Sequence, residues 1–187
     1  LYYEEPFNLS LYFPEYRAPV CTMSATGKNT YEPSYQTPNP MMFADTDTFK
    51  HWVFEVPSKL TRRIYSNTLC GYSEFHVQEF RSYFKYHDEI FTPEIKDLLH
   101  KLGIDYKKDT FLKLIEDANG NQSFAVTYQF LGSMEVKAPE RMQEPYILNE
   151  LEYEPISEHT GIAFYQVEET MVGKEIIYLE ILFSIPG

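Results

Sequence analysis

Thr110-Phe111-Leu112-Lys113-Leu114-Ile115-Glu116-Asp117-Ala118-Asn119-Gly120-Asn121-Gln122-Ser123-Phe124-Ala125-Val126-Thr127-Tyr128-Gln129-Phe130-Leu131 is the stretch on which the fold reading turns. Two β-prone runs, Thr110–Glu116 and Ser123–Leu131, flank Asn119-Gly120. Asn-Gly tolerates the positive φ of a tight turn, so the pair reads as an antiparallel hairpin. Phe124, Val126, Tyr128 and Phe130 share one parity of the return run, and side chains of one parity share one face of a strand. That face is expected to be buried.

The pattern continues toward the C-terminus. Gly161–Glu169 and Lys174–Pro186 form a second hairpin pattern around Val172-Gly173, with Met134 to Glu154 divided by Pro139, Pro145 and Pro155 and left ambiguous. On the N-terminal side the period changes. Thr92 suits a helix cap, Pro93 the first turn and Glu94 the positive end of the dipole; Ile95, Leu98, Leu99 and Leu102 make a stripe, and Gly103-Ile104 a stop. Before it, Ser73 is expected to cap a helix carrying Phe75, Phe80, Tyr83, Phe84 and Ile90. Phe49 to Val56 reads as one strand, and Phe7, Leu9, Leu11 and Phe13 alternate as another. Between them, about Pro19 to Asp47, Pro33, Pro38 and Pro40 exclude helix and central strand, leaving a long Pro/Tyr-rich loop. The expected fold is α+β: mostly antiparallel sheet with a two-helix insertion in mid-chain, all in a single domain over 1–187. Its parts are the strand and loop of 1–56, a helical pair at about 73–103 and a β-rich half over 108–187.

Composition bounds the function. Sixteen Tyr and fourteen Phe, with Trp52, bring aromatics to 17% in a chain of formal charge −12. So many rings exceed what one small core absorbs, and rings at a surface suit recognition. The acidic balance argues against general nucleic-acid binding and against anionic membranes. No apolar run is long enough to cross a bilayer as a helix. The chain begins at Leu1, as a processed product or fragment would. Cys21 and Cys70 lack metal-ligand or redox spacing; one disulfide or two free thiols are both open. Sequons at Asn8 and Asn121 leave secretion open, with the cytoplasm slightly favoured.

No Ser, Cys or His stands in a context that marks a nucleophile, so no catalytic residue, metal or cofactor is assigned. His76, Glu79, Tyr83 and His87 would share one helical face, but His76 and His87 lie about 16 Å apart along it, too far for one ion. Asp117 to Ser123 places oxygen donors at alternate positions and resembles a calcium loop of the EF-hand type, but lacks Gly at its sixth position and Glu at its twelfth. Met41 to Phe49, with Asp45-Thr46-Asp47-Thr48, resembles the DxDxT signature of haloacid-dehalogenase-type phosphotransferases. That resemblance implies an Asp45 nucleophile, Asp47 as acid/base, and magnesium. A Gly-Asp-x-x-x-Asp element is absent. The Tyr178–Pro186 strand resembles bacterial effector-binding domains, which implies a cationic amphiphile in an aromatic pocket with Glu180 as counter-charge.

The leading expectation is a non-enzymatic recognition protein of immunity, inhibitor or assembly-subunit type. Its acidic, Tyr-rich surface would bind another protein, a basic one. Candidate binding residues are Tyr31 and Tyr35 in the proline-rich loop, Trp52, and the carboxylate strip Glu150, Glu152 and Glu154. The alternatives are an effector-binding domain for cationic or aromatic small molecules and a phosphatase acting through Asp45 and Asp47.

Overall fold

The structure, a computed structural model, describes residues 44–117, 119–137, 146–148, 151–166 and 176–186. Nine strands and five helical segments follow one another in these parts. β1 (Asp45–Phe49), β2 (Trp52–Val56) and β5 (Ser133–Val136) form a three-stranded antiparallel sheet in the order β1-β2-β5. A six-stranded sheet has the order β3-β4-β9-β8-β7-β6 and antiparallel pairing throughout. Its strands are β3 (Phe111–Glu116), β4 (Gln122–Leu131), β6 (Tyr146–Leu148), β7 (Leu151–Pro155), β8 (Thr160–Tyr165) and β9 (Ile176–Ser184). Between β2 and β3 lie α1 (Ser58–Asn67), α2 (Tyr72–Phe75), α3 (Arg81–Lys85), α4 (His87–Ile90) and α5 (Pro93–Leu102). This is the α+β class, antiparallel sheet with a central helical insertion.

The opening hairpin forms as its residues dictate. β3 pairs with β4 from Phe111↔Thr127 to Glu116↔Gln122, and Gly120 takes a φ of 82° in the turn. Asp117 closes that turn by accepting the Asn119 and Asn121 N–H groups, at 2.8 and 2.9 Å, and the Asn121 amide at 2.9 Å. Those bonds hold its carboxyl below the usual carboxylate range, so the alternating donors are explained by an Asx-type turn. Phe124, Val126, Tyr128 and Phe130 are all fully buried. β8 and β9 pair from Thr160↔Phe183 to Tyr165↔Tyr178. Their connection around Val172-Gly173 lies outside the described residues, as do the Phe7–Phe13 alternation, Cys21 and most of the proline-rich loop. Cys70 carries a free thiol.

α5 also matches its sequence. Thr92 accepts the Ile95 N–H at 3.4 Å, and Gly103 ends the helix at φ 83°, with the Ile104 N–H bonded to the Leu99 carbonyl at 2.8 Å. Ile95, Leu98, Leu99 and Leu102 are buried, each worth about 1.5–3 kcal/mol against full exposure.

Three expectations are corrected. Phe49 to Val56 is a hairpin, not one strand: β1 and β2 pair at Phe49↔Trp52, and Lys50 carries the turn at φ 50°. No Gly, Asn or Pro marks that turn, and the alternation runs through it. The Ser73–Ile90 helix is three short pieces. Phe75 to Phe80 is five residues, about 140° off a common stripe, so one straight helix does not bring the two positions to one face. Ser73 does not cap α2; its N–H and hydroxyl instead donate to the Asp109 carboxylate at 3.0 and 2.6 Å. α1 was not anticipated, and the two-helix insertion is thus five helical segments.

α1 has a structural task at the sheet edge. β3 begins at Phe111 opposite Thr127, so the main-chain groups of Gln129 and Leu131 extend beyond it. Tyr65 fills the first gap: its hydroxyl donates to the Gln129 carbonyl at 2.8 Å and accepts the Gln129 N–H at 3.3 Å. Thr61, one turn earlier, accepts the Leu131 N–H at 3.3 Å. Rings then lock the layers. Tyr83 meets Phe124, Tyr86 meets Phe183, and Phe91 meets Tyr128, with centroids 5.6, 5.5 and 6.4 Å apart. Trp52 and Phe54 of the small sheet pack on Phe164, at 4.8 and 4.7 Å. One core cluster therefore unites both sheets and the helices on this inner face.

Candidate functional site

Everything inward from the six-stranded sheet is core, so a site on it must use the outer face. Strand pairing decides what stands there. Phe111, Thr127, Glu180 and Ala163 form one row across β3, β4, β9 and β8; Lys113, Ala125, Leu182 and Gly161 form the next. Gln129, Tyr178 and Tyr165 form a third. Small residues in the first two rows leave space above the sheet. β7 occupies part of it: Tyr153 is buried against Ala125, Ala163 and Leu182, with Leu151 beside it.

A cavity of about 130 Å³ remains, with Thr127 and Glu180 in its lining. Phe111, Lys113 and Ile115 of β3 border one side, and Leu151 and Tyr153 of β7 another. Two hydroxyls orient the Glu180 carboxylate. Tyr153 donates to Oε1, and Thr127 donates to Oε2 at 3.2 Å. Burial and the bond to Glu180 push the Tyr153 hydroxyl well above the usual tyrosine range, so it stays a donor. Tyr165 and Tyr178 stack next to Glu180, with centroids 5.2 Å apart and planes 11° from parallel. Burial, the Glu180 charge and Tyr178 together push Tyr165 up to about 12. No Lys or Arg ion-pairs with Glu180 among the described residues. An ionised carboxylate has about four acceptor positions, and two protein hydroxyls leave room for a further donor.

Chemically this is a counter-charge framed by rings. A positive group entering the cavity would meet the carboxylate directly, between the Phe111 and Tyr153 rings of the lining and across from the Lys113 side chain.

The sequence-derived candidates are dispersed. Tyr31, Tyr35 and Glu150 lie outside the described residues. Trp52 is 5% exposed, stacked 6.5 Å from Phe49 and edge-on to Phe164, so it belongs to the core. Glu152 is exposed, whereas Glu154 is half-buried with Oε2 4.0 Å from His51 Nδ1. Asp45 and Asp47 sit within β1, which pairs antiparallel with β2 at one end of the small sheet. Asp47 accepts its neighbour's Thr48 N–H at 2.8 Å. His76 and Glu79, 3.6 Å apart, occupy the turn between α2 and α3, while His87 begins α4, so no common helical face joins the four. No group of three His, Cys, Asp or Glu among the described residues is placed to hold a metal ion. No helix among them is long and apolar enough to cross a membrane.

Tyr153, Thr127, Tyr165 and Tyr178 were not singled out from the sequence. A signal existed: Thr127 and Gln129 alternate with the inward residues of β4, and Tyr178 and Glu180 with those of β9, which sets all four on the other face. Their convergence depends on strand register, which alternation alone does not supply. No protein-family model, curated protein or solved structure matches the chain.

Proposed function

We propose that this chain is a non-enzymatic binding domain that takes a small cationic ligand on the outer face of the six-stranded sheet. One observation carries the reading: the Glu180 carboxylate borders a cavity, held by the Tyr153 and Thr127 hydroxyls, with no basic side chain of the described parts paired to it. A volume of about 130 Å³ suits a charged head group, not a whole drug-sized molecule. The apolar remainder of the ligand would lie toward Phe111, which is 44% exposed at the cavity's rim. Arylalkylammonium compounds such as benzylammonium, whose N–H groups can donate to Glu180, meet both requirements. Thermal unfolding across a series of these, with the matched neutral alcohols and carboxylates as controls, tests the proposal. The cations are expected to raise the unfolding temperature and the controls not to. Glu180→Gln, which keeps an acceptor for Tyr153, is expected to abolish the shift. Equal stabilisation of both proteins, or none of the parent, would refute it.

A macromolecular partner is the second reading, and a different observation favours it. Leu69 is 93% exposed; Val77, Phe84 and Phe111 also face solvent. The Tyr72 ring joins Phe111 to His76, at 5.0 and 4.4 Å. Size-exclusion chromatography with light scattering and affinity capture, on the parent and on Leu69→Glu, separates the two readings. A partner lost in Leu69→Glu but kept in Glu180→Gln supports the second.

A further inference from the structure

A second cleft, about 420 Å³ in volume, opens on the helical side, at the C-terminal ends of α1 and α5. That volume falls within the range of about 300–1,000 Å³ usual for small-molecule sites. Arg62, Lys96 and Lys108 line it against a single carboxylate, Asp105, in a chain of formal charge −12. Cations beside helix C-termini have a plain structural role: they offset the partial negative charge of the last carbonyls. Arg62 fills that role by donating to the His100 carbonyl at 3.0 Å, and Lys108 by donating to the Tyr65 carbonyl at 2.6 Å while standing 3.9 Å from Asp105.

Lys96 caps no carbonyl among the described residues. Its ammonium stands 3.9 Å from Asp88, whose side chain is 97% exposed, and 5.1 Å from the centre of the Tyr106 ring. An exposed pair of that kind contributes about 0–1 kcal/mol and the ring contact about 0.5–1 kcal/mol, so little holds this ammonium to its protein partners against a ligand. The caps also leave donors over, since a guanidinium offers five N–H bonds and an ammonium three. Beside them the half-buried Tyr106, over whose ring the Lys96 ammonium lies, gives the cleft an apolar part next to Ile104.

We infer that this cleft binds a small phosphate-type dianion with an apolar substituent, as in a phosphate monoester of an aromatic alcohol. The phosphate oxygens take the spare donors of Arg62, Lys96 and Lys108, and the substituent lies against Tyr106. The site is independent of Glu180, which stands on the opposite face of the sheet.

Phenyl phosphate is the probe, followed by calorimetry and by the amide resonances of Gly103 and Ile104, with phenol and inorganic phosphate as companion titrations. Phenyl phosphate is expected to bind more tightly than either companion, to shift both amides, and to weaken as salt is raised. Lys96→Met is expected to weaken binding about tenfold, the loss of one charge-assisted hydrogen bond, with unchanged thermal stability. Lys96→Arg retains the charge and is expected to restore binding, and Glu180→Gln to leave it untouched. Absence of binding to the parent, or equal binding by Lys96→Met, would overturn the site. Inorganic phosphate binding as tightly as phenyl phosphate would overturn the apolar subsite.

Discussion

Replacing Tyr65 by Phe removes one oxygen atom, yet it is expected to destabilise the fold by about 2–3 kcal/mol. The ring stays, so packing in the core is nearly unchanged. What goes is the group that satisfies both main-chain atoms of Gln129 where β3 has ended. Tyr65 is 1% exposed, so water does not replace the hydroxyl without opening α1 from the sheet. A buried main-chain donor or acceptor left unpaired costs about 1–3 kcal/mol. The 2.8 Å bond to the carbonyl stands in that range, and the longer 3.3 Å bond adds less. For a chain of this length the midpoint of thermal unfolding should drop by about 2–4 °C per kcal/mol, hence roughly 4–12 °C. Denaturant unfolding measures the energy, and amide hydrogen exchange locates it. Protection at the Gln129 N–H should fall well beyond the global change. Thr61→Val, which strips the acceptor from the Leu131 N–H at nearly constant volume, should cost about 1–2 kcal/mol by the same mechanism. A Tyr65→Phe protein within about 0.5 kcal/mol of the parent, with Gln129 still protected, would refute the assignment of α1 as the cap of the β4 edge.

Gly103→Ala should cost more than about 2 kcal/mol in chemical unfolding, because the residue needs a φ of 83° and an added Cβ would lie 2.2 Å from the Ser58 carbonyl oxygen. Asp109 gives a pH signature. Burial, opposed by its bonds to Ser73, raises its carboxyl above the usual range, so the folded state holds this proton more tightly than the unfolded chain does. Its contribution to stability is therefore complete below an unfolded pKa of about 3.9 and is lost as pH rises through the raised folded value. The stability of Asp109→Asn relative to the parent should improve between pH 3 and pH 7; an unchanged or opposite difference in denaturant midpoints would contradict this. Tyr65, Tyr83, Tyr128 and Tyr153 are all pushed up chiefly by burial, so stability should fall steeply once pH passes about 10, the unfolded tyrosine value. Parallel pH titrations by circular dichroism and by tyrosinate absorbance should show one coincident transition for these buried groups.

Local chemistry was enough for the elements whose determinants lie within a few residues of each other. Asn119-Gly120 sets the β3–β4 turn because glycine alone accepts positive φ without cost, and the inward face of β4 follows from period-2 alternation. Thr92, Pro93 and Gly103 delimit α5 for equally local reasons, and β9 shows its parity in the same way. The C-terminal hairpin and the α+β class follow from these pieces. Where rings are dense the local signal fails. Aromatic residues between Tyr72 and Phe91 fit a helical pattern loosely, and their partners on β4 and β9 break that stretch into separate turns. Polar Lys50-His51 gives no turn signal of its own; pairing of Phe49 with Trp52 decides it.

The candidate site lies almost entirely on the tertiary side of that division. The sequence by itself determined that Glu180 sits in a mostly apolar strand and that Trp52 and many tyrosines await placement. It did not determine that Trp52 goes inward onto Phe164, or that Tyr153 reaches Glu180. Those outcomes depend on register between strands far apart in the chain and on small residues, Ala125, Ala163 and Gly161, that make room under β7. Alternation tells a side chain which face to take. Only the pairing of strands tells it which neighbour it will meet there, because that choice is settled by the summed burial of the whole sheet and not by any local preference.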